Sequence, residues 1–166
     1  MALTPDNYFA LLFSIVIWFG FKPCDGAGVA SPPTRADANF YRALDSTGVP
    51  RELFGVVWFV LYALIGAANF GFWLDARNSS LYTAGLILFI VNLLLNKAWP
   101  EVFFGYRSPS FAFVVIVSVF GTAIALLVIA TAALNFGWVA ALLLVYVVWL
   151  AVATALNAYV WYVYAV

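Results

Sequence analysis

Leu95-Asn96-Lys97-Ala98-Trp99-Pro100-Glu101-Val102-Phe103-Phe104-Gly105 closes an apolar run that begins near Leu81. Such a run is long enough for a membrane-crossing helix, which needs about 20 residues. Asn92, Asn96 and Trp99 are spaced i, i+4, i+7, so a helix puts them on one face. Side-chain amides are costly in hydrocarbon unless they face protein, ligand or water. The stretch therefore predicts a transmembrane helix with an inward polar and aromatic stripe, built around something.

Composition agrees. The chain has 166 residues, 67% hydrophobic and 8% charged, with mean hydropathy +1.06. A soluble domain is about 45–50% apolar and about 25% charged, so this is an integral membrane protein, and one domain accounts for its length. Aromatics at 19% exceed what plain spans need and predict interfacial belts, an aromatic-lined cavity, or both. Net charge is +0, so no basic face points to nucleic acid. There is no His, and Cys24 is the single Cys, which removes Ser/His/Asp and Cys/His chemistry and the commonest metal ligand. No Gly-rich phosphate loop is present. The first apolar run, Tyr8 to Phe21, lacks a basic start and is followed by Lys22-Pro23, a poor fit to a secretory signal.

Hydropathy and turn signals predict an all-α membrane protein, a bundle of five transmembrane helices with a long first loop. The spans are about 6–21, 50–74, 80–104, 110–133 and 138–163. Thr4-Pro5-Asp6 suits a helix start. Lys22 to Val49 is the one long polar stretch. Within it Ala36 to Leu44 reads as a short interfacial helix, with Phe40 and Leu44 touching the bilayer surface while Arg35 and Arg42 stay wet. Asp75–Ser79, Gly105–Pro109 and Asn135-Phe136-Gly137 are tight connections, which imply antiparallel neighbours. Small residues at Ala63/Ala67 and Gly121/Ala125 fit close helix approach. No internal repeat points to an inverted-repeat transporter.

Orientation follows from Lys and Arg. Lys22, Arg35, Arg42, Arg51, Lys97 and Arg107 share one side, and only Arg77 lies on the other. The positive-inside rule puts the long loop and the C-terminus in the cytosol and the N-terminus outside. Lys97 and Glu101, at i, i+4, read as an interfacial ion pair with a snorkelling lysine. Pro100 breaks the helical ladder at this end.

Three predicted spans carry matching stripes: Trp58, Tyr62 and Asn69 in the second; Asn92, Asn96 and Trp99 in the third; Tyr146, Trp149, Ala153 and Asn157 in the fifth. Singly, each is ordinary packing or an interhelical bond. Together they describe an aromatic pocket with a few polar groups, suited to a large, flat, mostly apolar ligand. Small Ala153 beside Trp149 leaves room. Trp58 and Trp99 lie near the cytosolic helix ends, so the pocket opens toward the long loop, which would act as its lid.

At these residues the chain resembles the TspO/MBR family, over most of Phe40–Trp161. Phe40-Tyr41 with Leu44 resembles the family's loop aromatics, and Pro50-Arg51, Phe54, Trp58, Leu61-Tyr62 and Gly66 its second-helix signature. Leu95-Asn96-Lys97-Ala98-Trp99-Pro100 with Phe103-Phe104-Gly105 is the nearest match. Tyr146, Trp149, Ala153-Thr154, Leu156-Asn157 and Tyr159-Val160-Trp161 resemble the fifth helix. The resemblance implies a five-helix bundle, often dimeric, with a cytosol-facing pocket for porphyrins and drug-like aromatic ligands. In some members it also implies sterol binding or light-dependent porphyrin degradation. It puts Trp58 and Trp149 at the photochemically important tryptophans, and Asn96, Trp99, Ala153 and Leu156 on ligand-pocket positions. The chain departs from the pattern in places. Ser46-Thr47-Gly48-Val49-Pro50 replaces a tryptophan before a double proline, Val145 precedes Tyr146 without the proline, and no Lys or Arg follows Arg107. The last departure makes sterol binding at the C-terminal motif less expected.

The expected ligand-binding set is thus Trp58, Tyr62, Asn92, Asn96, Trp99, Tyr146, Trp149, Ala153 and Leu156, with no metal and no required cofactor, the porphyrin being the ligand. The expected function is tetrapyrrole binding in transport, sensing or scavenging. The alternatives are a light-dependent porphyrin-degrading enzyme, with Trp58 and Trp149 as its reactive residues, and a membrane scaffold without a working pocket. The expected location is the mitochondrial outer membrane or another endomembrane in a eukaryote, or the cell envelope in a bacterium.

Overall fold

A computed structural model describes residues 35–135 and 137–166. In chain order these form α1 (Arg35–Asp45), α2 (Arg51–Asp75), α3 (Tyr82–Pro100), a π-helical turn (Glu101–Gly105), α4 (Pro109–Leu134) and α5 (Trp138–Ala165). Among the described residues there is no strand. Helices α2 to α5 are long and apolar enough to cross a membrane and correspond to four of the five expected spans. The expected first span, 6–21, and residues 22–34 of the polar stretch lie outside the described residues.

The four spans close a ring in which α2 packs on α3, α3 on α4, α4 on α5 and α5 back on α2; the α4–α5 contact is the most extensive. Short turns enforce the antiparallel order. After α2, the Ser79 N–H donates to the Ala76 carbonyl (2.8 Å) and Arg77 folds back, its guanidinium 4.0 Å over the Trp73 ring. Pro109 opens α4 at a position where a missing N–H costs nothing. Two glycines set the closest approaches. A Cβ on Gly71 would run into the Trp138 ring, and one on Gly85 into the Phe72 ring. Gly121, by contrast, faces open space on the outer surface of α4, and Ala63 and Ala67 are half-buried.

Pro100 acts as expected, and its local consequence is specific. It cannot donate a backbone bond, and its ring crowds the carbonyl one turn back. The chain answers with a wider turn, in which the Tyr106 N–H reaches the Glu101 carbonyl five residues back at 2.8 Å. Arg107 then takes φ 51° to leave the helix.

The short helix α1 forms where the sequence predicts it, but its placement corrects one expectation. Phe40 and Leu44 do not rest on the bilayer surface. They are 0% and 2% exposed and pack into the end of the bundle. Phe40 meets Phe103 edge-on at 5.3 Å, with Tyr164 at 6.4 Å. An apolar helix face is buried equally well by protein or by lipid, and here the aromatic end of the bundle offers the closer surface. Arg42 stays exposed and donates to Asn39 (3.1 Å). Thr47 ends the helix by bonding the Leu44 carbonyl (2.7 Å), and Gly48 takes φ 69° to turn into α2.

Candidate ligand site

A hydrogen-bonded layer crosses the middle of the bundle and joins all four spans. The Tyr62 hydroxyl on α2 donates to Asn96 Oδ1 on α3 (3.1 Å). Asn96 Nδ2 donates to the Tyr146 hydroxyl on α5 (2.6 Å), which donates to Asn92 Oδ1 on α3 (3.0 Å). Asn92 Nδ2 donates to Thr122 Oγ1 (2.8 Å) and the Val119 carbonyl (3.0 Å) on α4. A backbone carbonyl only accepts, so the Asn92 amide nitrogen must face Val119. Its oxygen then faces Tyr146, which must donate, and the same logic fixes Asn96 and Tyr62. One carbonyl orients the whole run.

Nearer the α1 end, Trp99 Nε1 donates to Asn157 Oδ1 (2.9 Å), and Asn157 Nδ2 donates to the Pro109 carbonyl (2.8 Å). Trp99 is held between neighbouring rings: Phe103 stacks on it at 5.0 Å and 19°, and Trp58 lies at 5.9 Å. Trp58 in turn meets Tyr62 at 5.7 Å. The result is an aromatic wall running from Tyr62 through Trp58 and Trp99 to Phe103 and Phe40. It exists because Trp58 and Tyr62 fall at helical spacing on α2, Trp99 closes α3, the π turn keeps Val102 and Phe103 both buried, and α1 brings in Phe40.

Against this wall lies a pocket of about 230 Å3, including the part open to solvent, lined by Leu44, Thr47, Trp99, Phe103, Ala153, Leu156, Asn157 and Val160. The enclosed room is only about 10 Å3, against about 300–1,000 Å3 for small-molecule sites, so the pocket is nearly closed. Its roof is the end of α1, and one side is α5. Around it, three buried polar atoms have no hydrogen-bond partner among the described residues: Trp58 Nε1, Trp149 Nε1 and Thr154 Oγ1. A buried unpaired donor costs about 1–3 kcal/mol.

The predicted residues thus fall into three groups. Trp99, Ala153 and Leu156 line the pocket. Trp58 extends its wall, and Trp149 is half-buried with its indole nitrogen buried. Tyr62, Asn92, Asn96 and Tyr146 form the hydrogen-bonded layer, where Asn92 and Tyr146 are 0% exposed. Leu44, Thr47, Phe103 and Val160 were not among the expected lining residues. Leu44, Phe103 and Val160 carried a signal, as positions within the resemblance; Thr47 carried none, since only the fold of α1 onto α5 brings it to the pocket. Lys97 places its Nζ 4.3 Å from the centre of the Tyr62 ring. Among the described residues no cluster of His, Cys, Asp and Glu could hold a metal ion.

The model of the TspO/MBR family matches residues 24–162. The chain is similar to the translocator protein of Homo sapiens, 34% identical over 119 residues that cover 68% of this chain and 66% of that protein. It is similar to the translocator protein of Bos taurus, 32% identical over 155 residues and 87% of each chain. It is also similar to protein CrtK of Rhodobacter capsulatus, 33% identical over 115 residues, covering 68% of this chain and 69% of that one. The match to the human protein spans just under two thirds of its length.

Proposed function

The chain belongs to the TspO/MBR family, and we propose that it is a multi-pass membrane protein that binds tetrapyrroles and similar flat apolar ligands for transport, sensing or scavenging. The observation that carries this reading is the pair of indole N–H groups on Trp58 and Trp149, without a hydrogen-bond partner among the described residues, on the neighbouring helices α2 and α5 beside an aromatic wall. A flat ring system stacked on Trp58 and Trp99 supplies π surface to the wall and acceptor atoms to the stranded donors. The hydrogen-bonded layer of Tyr62, Asn96 and Tyr146 is the rigid floor, and Ala153 and Leu156 form the facing side.

The pocket is smaller than a tetrapyrrole needs, so binding requires an element to give way. That element is α1 with the turn that follows it: α1 supplies Leu44 to the roof, the turn supplies Thr47, and the chain then turns through Gly48. The Lys and Arg distribution supports a cytosolic mouth, with the C-terminus on that side. The test is quenching of tryptophan emission by protoporphyrin IX in lipid nanodiscs. Trp58→Phe combined with Trp149→Phe is expected to weaken binding and to reduce the quenching. A double variant that binds and quenches like the parent places the site elsewhere.

A second reading, a light-dependent porphyrin-degrading enzyme, is favoured by the unbroken ring contacts from Tyr62 through Trp58 to Trp99, along which an electron hole can pass. Illumination of the porphyrin complex with loss of porphyrin absorbance would support it; an unchanged spectrum removes it.

A further inference from the structure

We infer that Lys97 is a specificity-determining residue of this site, the cation that meets a carboxylate on the ligand, so that flat aromatic acids are preferred over neutral rings of the same size. This rests on the ligand-site reading above. Apart from Arg51, the first residue of α2, Lys97 is the sole Lys or Arg within the four membrane-crossing helices. A cation at that depth is costly and marks a place where it meets protein, water or an opposite charge. Lys97 is half-buried, and its ammonium stands 4.3 Å from the centre of the Tyr62 ring. Tyr62 packs on Trp58, and Trp58 on Trp99. The charge therefore sits over Tyr62 at one end of the aromatic wall, one ring from Trp58, whose indole N–H has no acceptor among the described residues.

A carboxylate suits both groups at once. It accepts a charge-assisted bond from the ammonium and a second bond from an indole N–H. A neutral ring stacked on the same wall uses neither the charge nor the full strength of the donor. The ammonium rides on a flexible four-carbon stem, so it follows an acidic group at the ligand's edge without moving the backbone. Glu101, one turn further along and exposed, is the only carboxylate of α3 and its π turn, and it competes for the same ammonium.

The experiment titrates the full chain in nanodiscs with protoporphyrin IX and, separately, with its dimethyl ester, which keeps the ring and removes the charges. The parent protein is expected to favour the diacid. Lys97→Met should weaken diacid binding by about 10-fold or more, the loss expected for one hydrogen bond to a charged group. Ester binding should stay within about twofold, which also reports that the variant is folded. Lys97→Arg should retain the diacid preference. Glu101→Gln should tighten the diacid and leave the ester unchanged, and it carries the test if Lys97→Met fails to fold. Lys97→Met lowering both ligands equally, or neither, overturns the role of Lys97 while leaving the site intact. A parent protein that binds neither compound overturns the ligand-site reading and this inference with it.

Discussion

Asn157→Leu tests the link between the fold and the pocket wall. Asn157 is 1% exposed, accepts the Trp99 indole N–H at 2.9 Å and donates to the Pro109 carbonyl at 2.8 Å. Leucine has a similar volume, so the change removes bonds without opening a large cavity. Two interhelical bonds within a bilayer average about 0.6 kcal/mol each and reach about 1.7. The Pro109 carbonyl keeps its partner one helical turn on, but the Trp99 donor is left buried and unpaired, which costs about 1–3 kcal/mol. A total near 2 kcal/mol follows, or a drop of about 4–8 °C in Tm for a chain of this size. The assay is thermal unfolding in nanodiscs of the parent, Asn157→Leu, Trp99→Phe and the double variant. The cycle should return a coupling of about 1 kcal/mol between the two positions. A single variant that melts within about 1 °C of the parent, or a cycle with no coupling, refutes the bond and the orientation of Trp99 built on it. Because Asn157 also lines the pocket, protoporphyrin affinity should fall in parallel.

Tyr146→Phe strips the hydroxyl that serves both Asn92 and Asn96, and should destabilise the bundle by about 2–4 kcal/mol in chemical denaturation. Gly71→Ala and Gly85→Ala should each cost about 1–3 kcal/mol because the added methyl meets the Trp138 or Phe72 ring. Gly121→Ala, in open space, should be neutral or stabilise by up to about 1 kcal/mol on the same thermal assay. Pro100→Ala should let the π turn relax to α-helix and rotate the residues after it by about 100°. Phe103 then leaves Phe40, and hydrogen exchange in α1 should accelerate while exchange in α4 and α5 stays the same.

Much of this architecture can be read from residues alone, because apolar runs between polar turns leave few choices in a bilayer. The four described spans fall within a few residues of their predicted ends. The stripe of Asn92, Asn96 and Trp99 does share one buried face, since helical spacing is local geometry. What spacing cannot give is the partner across the gap. Asn96 and Asn157 look alike in sequence, yet one belongs to a layer that ties four helices and the other anchors a tryptophan at the pocket. The burial of Phe40 was hidden for a related reason. Its amphipathic pattern states that a face must be covered, and it is silent on whether lipid or protein covers it. Gly71 and Gly85 escaped because they are isolated glycines whose meaning lies in the ring opposite, while the Gly121/Ala125 spacing, which fits a known pattern, faces outward.

The run from Tyr62 to Val119 has a sense of direction, like a row of dominoes already leaning one way. No amide in it can turn over alone, because each turn would set oxygen against oxygen or hydrogen against hydrogen at the next contact. Rearrangement is all or nothing, and the backbone of α4 decides the outcome. A ligand that touches Tyr62 is therefore felt at the far side of the bundle without any helix moving. One that donates a hydrogen there extends the row, and one that demands a hydrogen works against a carbonyl four hydrogen bonds away that cannot change its answer.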